Sequence, residues 1–237
     1  TYMANIADRL TIQIDLSGFS FKITDQTGGI LFSGEKSFPS VSSYGLDFEA
    51  ILKKELSSFS HLGKKNNGTD IYVATPKFTL IPTHLYIKGE EKRILSQIHK
   101  IGELDEVMSV EIPQYQATLI YAIPNSVTSR IFKIQKKARY YPSVYGMIQR
   151  MLNNSDNNKI CVCFSKEDVH ITAAEGNRLL LANSYPAKDF VTALYYLFLV
   201  IKEVMFNPEF TTLQVMGTLT KGQTKDLSKY FKGICTF

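Results

Sequence analysis

Cysteine is scarce in this chain: Cys161, Cys163 and Cys235 are all it has. An odd, sparse set builds no disulfide framework, so a reducing, cytoplasmic compartment is expected. Long apolar runs are also lacking. The most apolar stretch, residues 190–201, is interrupted by Thr192 and flanked by Asp189 and by Lys202-Glu203. A bilayer span needs about 20 apolar residues, so this stretch reads as a buried helix and no transmembrane segment is expected. No signal peptide is visible. Excess charge is missing too: 27 basic against 22 acidic residues leave +5, too mild a balance for a nucleic-acid footprint. With 44% hydrophobic and 21% charged residues, the chain has the ordinary globular balance, which argues against disorder.

What the chain does have is an internal repeat. Residues 12–24, IQIDLSGFSFKIT, stand beside residues 160–172, ICVCFSKEDVHIT, at an offset of 148 (160 less 12). Apolar residues match at 12/160, 14/162, 16/164, 21/169 and 23/171, and Thr24 meets Thr172. Both copies alternate apolar and polar residues, the period of a half-buried strand. Each also carries a turn signal, Gln26-Thr27-Gly28-Gly29 and Ala174-Glu175-Gly176-Asn177. A three-stranded meander is expected twice.

The sequel repeats as well. Asp47-Phe48 opens a helix bearing Phe48, Ile51, Leu52, Leu56 and Phe59, and Asp189-Phe190 opens the apolar helix. Each Asp suits an N-cap or the first turn. A strand follows at Ile71–Ala74 and at Leu213–Met216, then a helix after Lys88-Gly89 and after Lys221-Gly222. The first half carries extra material: a strand over Ala117–Ala122, a helix from Asn125 bearing Val127, Ile131 and Ile134, and a helix over Ser143–Leu152. A polar stretch at residues 153–158 leads into the second half. The expected division is a first lobe at 1–142, a connecting helix and linker at 143–158, and a second lobe at 159–237.

This plan resembles the actin-like ATPase superfamily, which includes actin, Hsp70-type chaperones and sugar kinases. The stretch Ile12–Lys22 is similar to that family's first phosphate loop, with Asp15 and Lys22 at its spacing. Ile120–Pro124, a helix, and then Tyr145–Leu152 look like the pilus-assembly and type II secretion branch. The whole chain is also similar to an uncharacterised family assigned an actin-like fold. The resemblance implies an α/β fold of two ribonuclease-H-like lobes related by an approximate two-fold. Each lobe would be a mixed sheet, its antiparallel meander extended by parallel strands and packed with helices. It further implies ATP with Mg²⁺ in a cleft, contacted by Asp15, Ser17, Gly18 and Lys22 from the first half and by Gly217 from the second.

The chemistry those roles need is thin. Hairpin amides cradle phosphates and carboxylates hold Mg²⁺, yet Cys163 stands at the repeat position of Asp15, and residues 163–170 contain no glycine. Val215–Lys221 has one glycine, Gly217, and then Thr218, where the family pairs glycines. The connecting helix begins Pro142-Ser143-Val144-Tyr145, without Gln or Glu. Efficient ATP hydrolysis is not expected. If Gly18-Phe19 is a two-residue turn, Asp15 lies opposite Lys22, a charge pair that stabilises a hairpin without any ligand; this structural reading is preferred. A nuclease would need several carboxylates around two metals, and Asp15 is alone on its face.

Two smaller patterns compete with bland readings. The same turn logic places Cys163 opposite His170 with Cys161 on the same face. Zinc needs a fourth ligand that is not evident, so no metal is expected and the thiols read as small hydrophobes. The run Lys133–Arg139 continues into Tyr140-Tyr141. Such a run can bind single-stranded nucleic acid, but cations at a helix C-terminus are commoner. The reading that results is a non-catalytic protein of actin-like fold, without a required cofactor, that binds or scaffolds a protein partner. An ATP-binding switch is the first alternative and a weak nucleic-acid binder the second.

Overall fold

The computed structural model describes residues 9–14, 18–25, 29–37, 54, 68–134 and 137–237. The expected helix at 47–59 apart from Lys54, the residues Asp15 and Ser17, and most of the turn at 26–29 lie outside that set. Thirteen strands occur among the described residues: β1 Arg9–Ile14, β2 Gly18–Thr24, β3 Ile30–Ser37, β4 Thr69–Val73, β5 Phe78–Pro82, β6 Asp105–Ile112, β7 Ala117–Pro124, β8 Ala138–Pro142, β9 Asn158–Phe164, β10 Asp168–Glu175, β11 Arg178–Pro186, β12 Thr212–Val215 and β13 Gly233–Thr236. The helices are α1 Glu91–Ser96, α2 Asn125–Ile134, α3 Ser143–Leu152, α4 Phe190–Glu203 and α5 Lys221–Leu227.

The strands form two five-stranded sheets of the same plan. One runs β3-β2-β1-β4-β8 and the other β11-β10-β9-β12-β13. In each, the meander is antiparallel and its first strand pairs in parallel with the next strand of the sheet, β1 with β4 and β9 with β12. A third sheet, β5-β7-β6, is made from the extra material of the first half. The chain divides into two compact units. The first holds the described residues up to Ala74, Gly102–Glu106 and Ile123–Tyr141; the second holds Thr75–Ile101, Val107–Ala122 and Pro142–Phe237.

In the first unit the alternation of β1 and β2 puts Leu10, Ile12, Ile14, Phe19, Phe21 and Ile23 on one buried face with Ile71 and Val73. The opposite face carries a buried carboxylate, Asp70, which is 1% exposed. It accepts from Nε of Arg9 at 2.7 Å and from Nε of Arg139 at 2.8 Å, which ties β1, β4 and β8 together.

The second sheet is covered on both faces. Ile160, Val162, Val169, Ile171, Ala173, Leu213 and Val215 pack with Ala193, Leu197, Val200 and Ile201 of α4 and with Leu227 of α5. Those four α4 positions recur at helical spacing, so one stripe faces the core. The side chain of Asp189 caps α4 by accepting from the amide of Thr192 at 2.8 Å. A capping box of Thr220 and Gln223 starts α5. On the other face α3 lies on β9 and β10, with Thr172 Oγ1 donating to Met151 Sδ at 3.5 Å.

The hairpin register corrects two expectations. Lys22 stands opposite Thr11 on β1 and Ser33 on β3, and Phe19, a strand residue, stands opposite Ile14. The proposed Asp15–Lys22 pair and Gly18-Phe19 turn are therefore excluded. The repeat offset itself holds on the first strands: the amide of Ala74 donates to Ile14 and that of Met216 to Val162. It fails on the second strands. Val162 pairs with Ile171, four positions beyond Glu167, the residue the sequence match assigns to Phe19. The second hairpin is longer by two residues per strand, and an even slip keeps every side chain on its face, so alternation alone could not reveal it.

Candidate functional site

Of the five residues expected to contact a nucleotide, Gly18, Lys22 and Gly217 are described. Gly18 opens β2, is buried and pairs with Ser37 of β3. Lys22 is half-buried in the middle of the same strand. Both belong to the first unit. Gly217 belongs to the second and follows β12 with φ of 101°, a left-handed conformation that glycine adopts without strain. Its amide donates to the carbonyl of Phe237 at 3.3 Å, and the amide of Phe237 returns a bond to Val215.

The second hairpin is likewise closed on itself. The amide of Ser165 donates to the carbonyl of Asp168 at 2.9 Å, and the amide of Asp168 to Ser165 Oγ at 3.3 Å. Desolvation, with a smaller push from Glu167, raises the pKa of Asp168. Amides already bonded within the hairpin are poor material for a phosphate cradle. In the second unit the amides of Ser165, Asp168 and Gly217 are therefore already occupied.

Between the second sheet and α3 lies a buried polar layer. Cys163 pairs with His170, as the turn logic anticipated, and His170 pairs in turn with Ser184 of β11. Both ring nitrogens of His170, Oγ of Ser184, Oγ of Ser143, Oε1 of Gln214 and Nε of Arg150 have no hydrogen-bond partner. Burial lowers the pKa of His170 to about 4, so the imidazole is neutral at physiological pH. Burial, reinforced by Cys163, pushes the Cys161 thiol well up. A protonated thiol is a poor nucleophile and a poor metal ligand. Among the described residues no three His, Cys, Asp or Glu side chains come together to hold a metal.

A groove of about 700 Å³ opens elsewhere in the second unit, with Phe78–Pro82 of β5 on one side and Leu179–Asn183 of β11 on the other. Tyr115, Gln116, His84 and His99 complete its polar lining. The hydroxyl of Tyr115 is buried without a partner, and burial raises its pKa.

Two further features lie on the surface. Helix α4 leaves Val191, Tyr195 and Leu199 at 75%, 63% and 44% exposure. They lie four residues apart, a second apolar stripe on a helix whose first stripe is core. The end of the basic run is committed to structure at Arg139 and at the Tyr140 that follows it. Arg139 pairs with Asp70. The Tyr140 hydroxyl donates to the carbonyl of Thr128 at 3.1 Å, and burial pushes its pKa up to about 12. Neither is a free platform for a base.

Sequence reasoning missed Asp70, the groove and the orphaned Tyr115 hydroxyl. Asp70 left one signal, a charged residue inside an apolar strand. The groove left none, because it depends on which strands end up at sheet edges.

Among the described residues no helix is long and apolar enough to cross a membrane. No curated protein matches the chain. Solved structures do. A Bacteroides thetaiotaomicron protein with an actin-like ATPase fold and unknown function is 24% identical, with a TM-score of 0.70 over 100% of this chain and 94% of that one. The PilM–PilN type IV pilus biogenesis complex gives 10% identity and a TM-score of 0.60 over 97% and 88%. The ethanolamine utilization protein EutJ from Carboxydothermus hydrogenoformans gives 10% and 0.54 over 99% and 86%. The fold is that of the actin-like ATPase superfamily, with a pilus-assembly protein among its similar structures, as the repeat implied. The chain belongs to the family described as a protein of unknown function (DUF3822), whose model matches residues 5–234.

Proposed function

We propose that this chain is a non-catalytic protein of actin-like fold that acts in the cytoplasm by binding a protein partner. The observation that carries the reading is the outer stripe of α4. Val191, Tyr195 and Leu199 are held exposed by a helix whose opposite side is locked into the core. An ordinary surface helix presents polar residues there, and a contiguous exposed apolar patch marks an interaction site. A similar structure is a complex of two proteins, PilM with PilN, which supports partner binding in this fold at the level of analogy.

No cofactor is required by this reading. The amides of Gly217 and Ser165 are spent within the chain, which supports binding without nucleotide turnover. The expected contacts Asp15, Ser17, Gly18, Lys22 and Gly217 remain the positions at which to challenge it. The test is an assay of purified protein with Mg·ATP, paired with a thermal-shift titration. The expected result is no turnover and no shift at millimolar nucleotide. Turnover that Asp15→Ala removes would end the proposal.

A further inference from the structure

Five consecutive residues of β5 and five of β11 line the groove. Side chains of a strand alternate between its faces, so a strand that lines a groove with every residue presents its edge. The strand orders agree: β5 ends the three-stranded sheet and β11 ends the second five-stranded one, among the described residues. Two unpaired strand edges bound one groove.

The ladders show which main-chain groups face it. On β5, Thr83 donates to Gln116 and Lys77 accepts from Ala122, so the odd-numbered residues bond to β7 and Phe78, Leu80 and Pro82 point outward. Phe78 is served at both ends. Its amide donates to Pro76 and its carbonyl accepts from His99 Nε2 at 2.9 Å. Pro82 has no N–H. Leu80 is left with an outward donor and an outward acceptor.

On β11, Ala187 donates to Glu167 across the register that pairs Thr172 with Ala182. Residues 181, 183 and 185 therefore bond to β10, and Ala182 and Ser184 point outward. The amide of Ser184 is capped by Asn183 Oδ1 at 2.9 Å. Ala182 keeps both groups open to the groove.

The lining carries no Asp, Glu, Lys or Arg in a chain that is 21% charged. Its apolar walls complement an uncharged segment. We infer that the groove receives an extended, uncharged peptide segment of a partner protein, added as a β-strand through main-chain bonds to Leu80 and Ala182. Five strand residues at about 3.3 Å each give about 16 Å of edge, room for about five residues of ligand. Main-chain pairing gives affinity in such additions and alternate side chains give specificity. This surface is separate from the α4 stripe, and either can fail without the other.

The test is selection of a phage-displayed random heptapeptide library on the whole chain, followed by binding of the enriched synthetic peptide. Ala182→Pro removes the outward donor and no ladder bond, a change that edge strands tolerate. The expected outcome is enriched peptides that alternate apolar and small polar residues and bind Ala182→Pro at least tenfold more weakly. Tyr195→Asp on α4 should leave their affinity unchanged, and amide exchange at Leu80 and Ala182 should slow on binding. That exchange measurement on the unmodified chain keeps the test alive if Ala182→Pro does not fold. Equal binding to both proteins, selection of helix-patterned peptides, or slowed exchange confined to α4 would overturn the inference. So would a concentration-dependent dimer, formed without peptide, that protects the same two amides.

Discussion

The imidazole of His170 stands against the ring of Phe78, their centroids 6.3 Å apart and their planes tilted by 36°. It is 1% exposed and bonded through neither nitrogen. An unpaired buried imidazole is tolerated only as the neutral species.

Stability should therefore fall on the acid side. The folded pKa, about 4, lies below the ordinary value of 6.5. The unfolded chain thus binds a proton that the folded chain refuses. The His170 contribution is whole above pH 6.5 and is lost progressively as the pH falls toward 4, by about 3 kcal/mol in all. Chemical denaturation at a series of pH values should show this loss, and His170→Leu should flatten it across that window while leaving other acid-sensitive groups in place.

Asp70 offers a second test. Its carboxylate is shared by two half-exposed guanidiniums on different strands. Asp70→Asn removes the charge from both bonds and should cost about 2 kcal/mol. Urea denaturation should show a lowered midpoint with an unchanged slope. Replacing Arg9 alone should cost less, because Arg139 still holds the carboxylate.

The cysteines should differ in reactivity. Cys161 and Cys163 are buried, whereas Cys235 is partly exposed and its sulfur accepts from Arg150 at 3.5 Å. Iodoacetamide should label Cys235 alone in the native protein and all three thiols in urea, as counted by intact-mass spectrometry.

On the surface, Tyr195→Asp should leave the melting temperature within a degree or two, because Tyr195 is 63% exposed and outside the core cluster. If α4 is an interface, the same change should abolish capture of the partner in cells. Thr220→Ala tests a cap instead: it breaks the box with Gln223 and should cost about 1 kcal/mol.

Much of this was legible in the residues. Alternation in 12–24 and 160–172 revealed both meanders because each has one face in a core. Asp189 announced α4 because a capping carboxylate precedes an apolar run, and the pairing of Cys163 with His170 followed from placing the second turn correctly. The first turn was misplaced because period-two patterns are blind to even slips, so Lys22 was given the wrong partner. The bond from Arg139 to Asp70 spans 69 positions, beyond the reach of local pattern. The groove was hidden because an edge is defined by the strand that is not there.

The division of the chain has a consequence for synthesis. The first unit is interrupted twice by segments that belong to the second, and it closes only at Tyr141. A ribosome thus releases residues 75–101 and 107–122 well before the β9–β13 sheet with which they cluster exists. Those segments can pair with one another as the β5-β7-β6 sheet during elongation, and a fragment cut at residue 142 would carry that sheet permanently without the rest of its unit. Chaperone dependence of the nascent chain, and poor yield of either half expressed alone, follow from that interleaving.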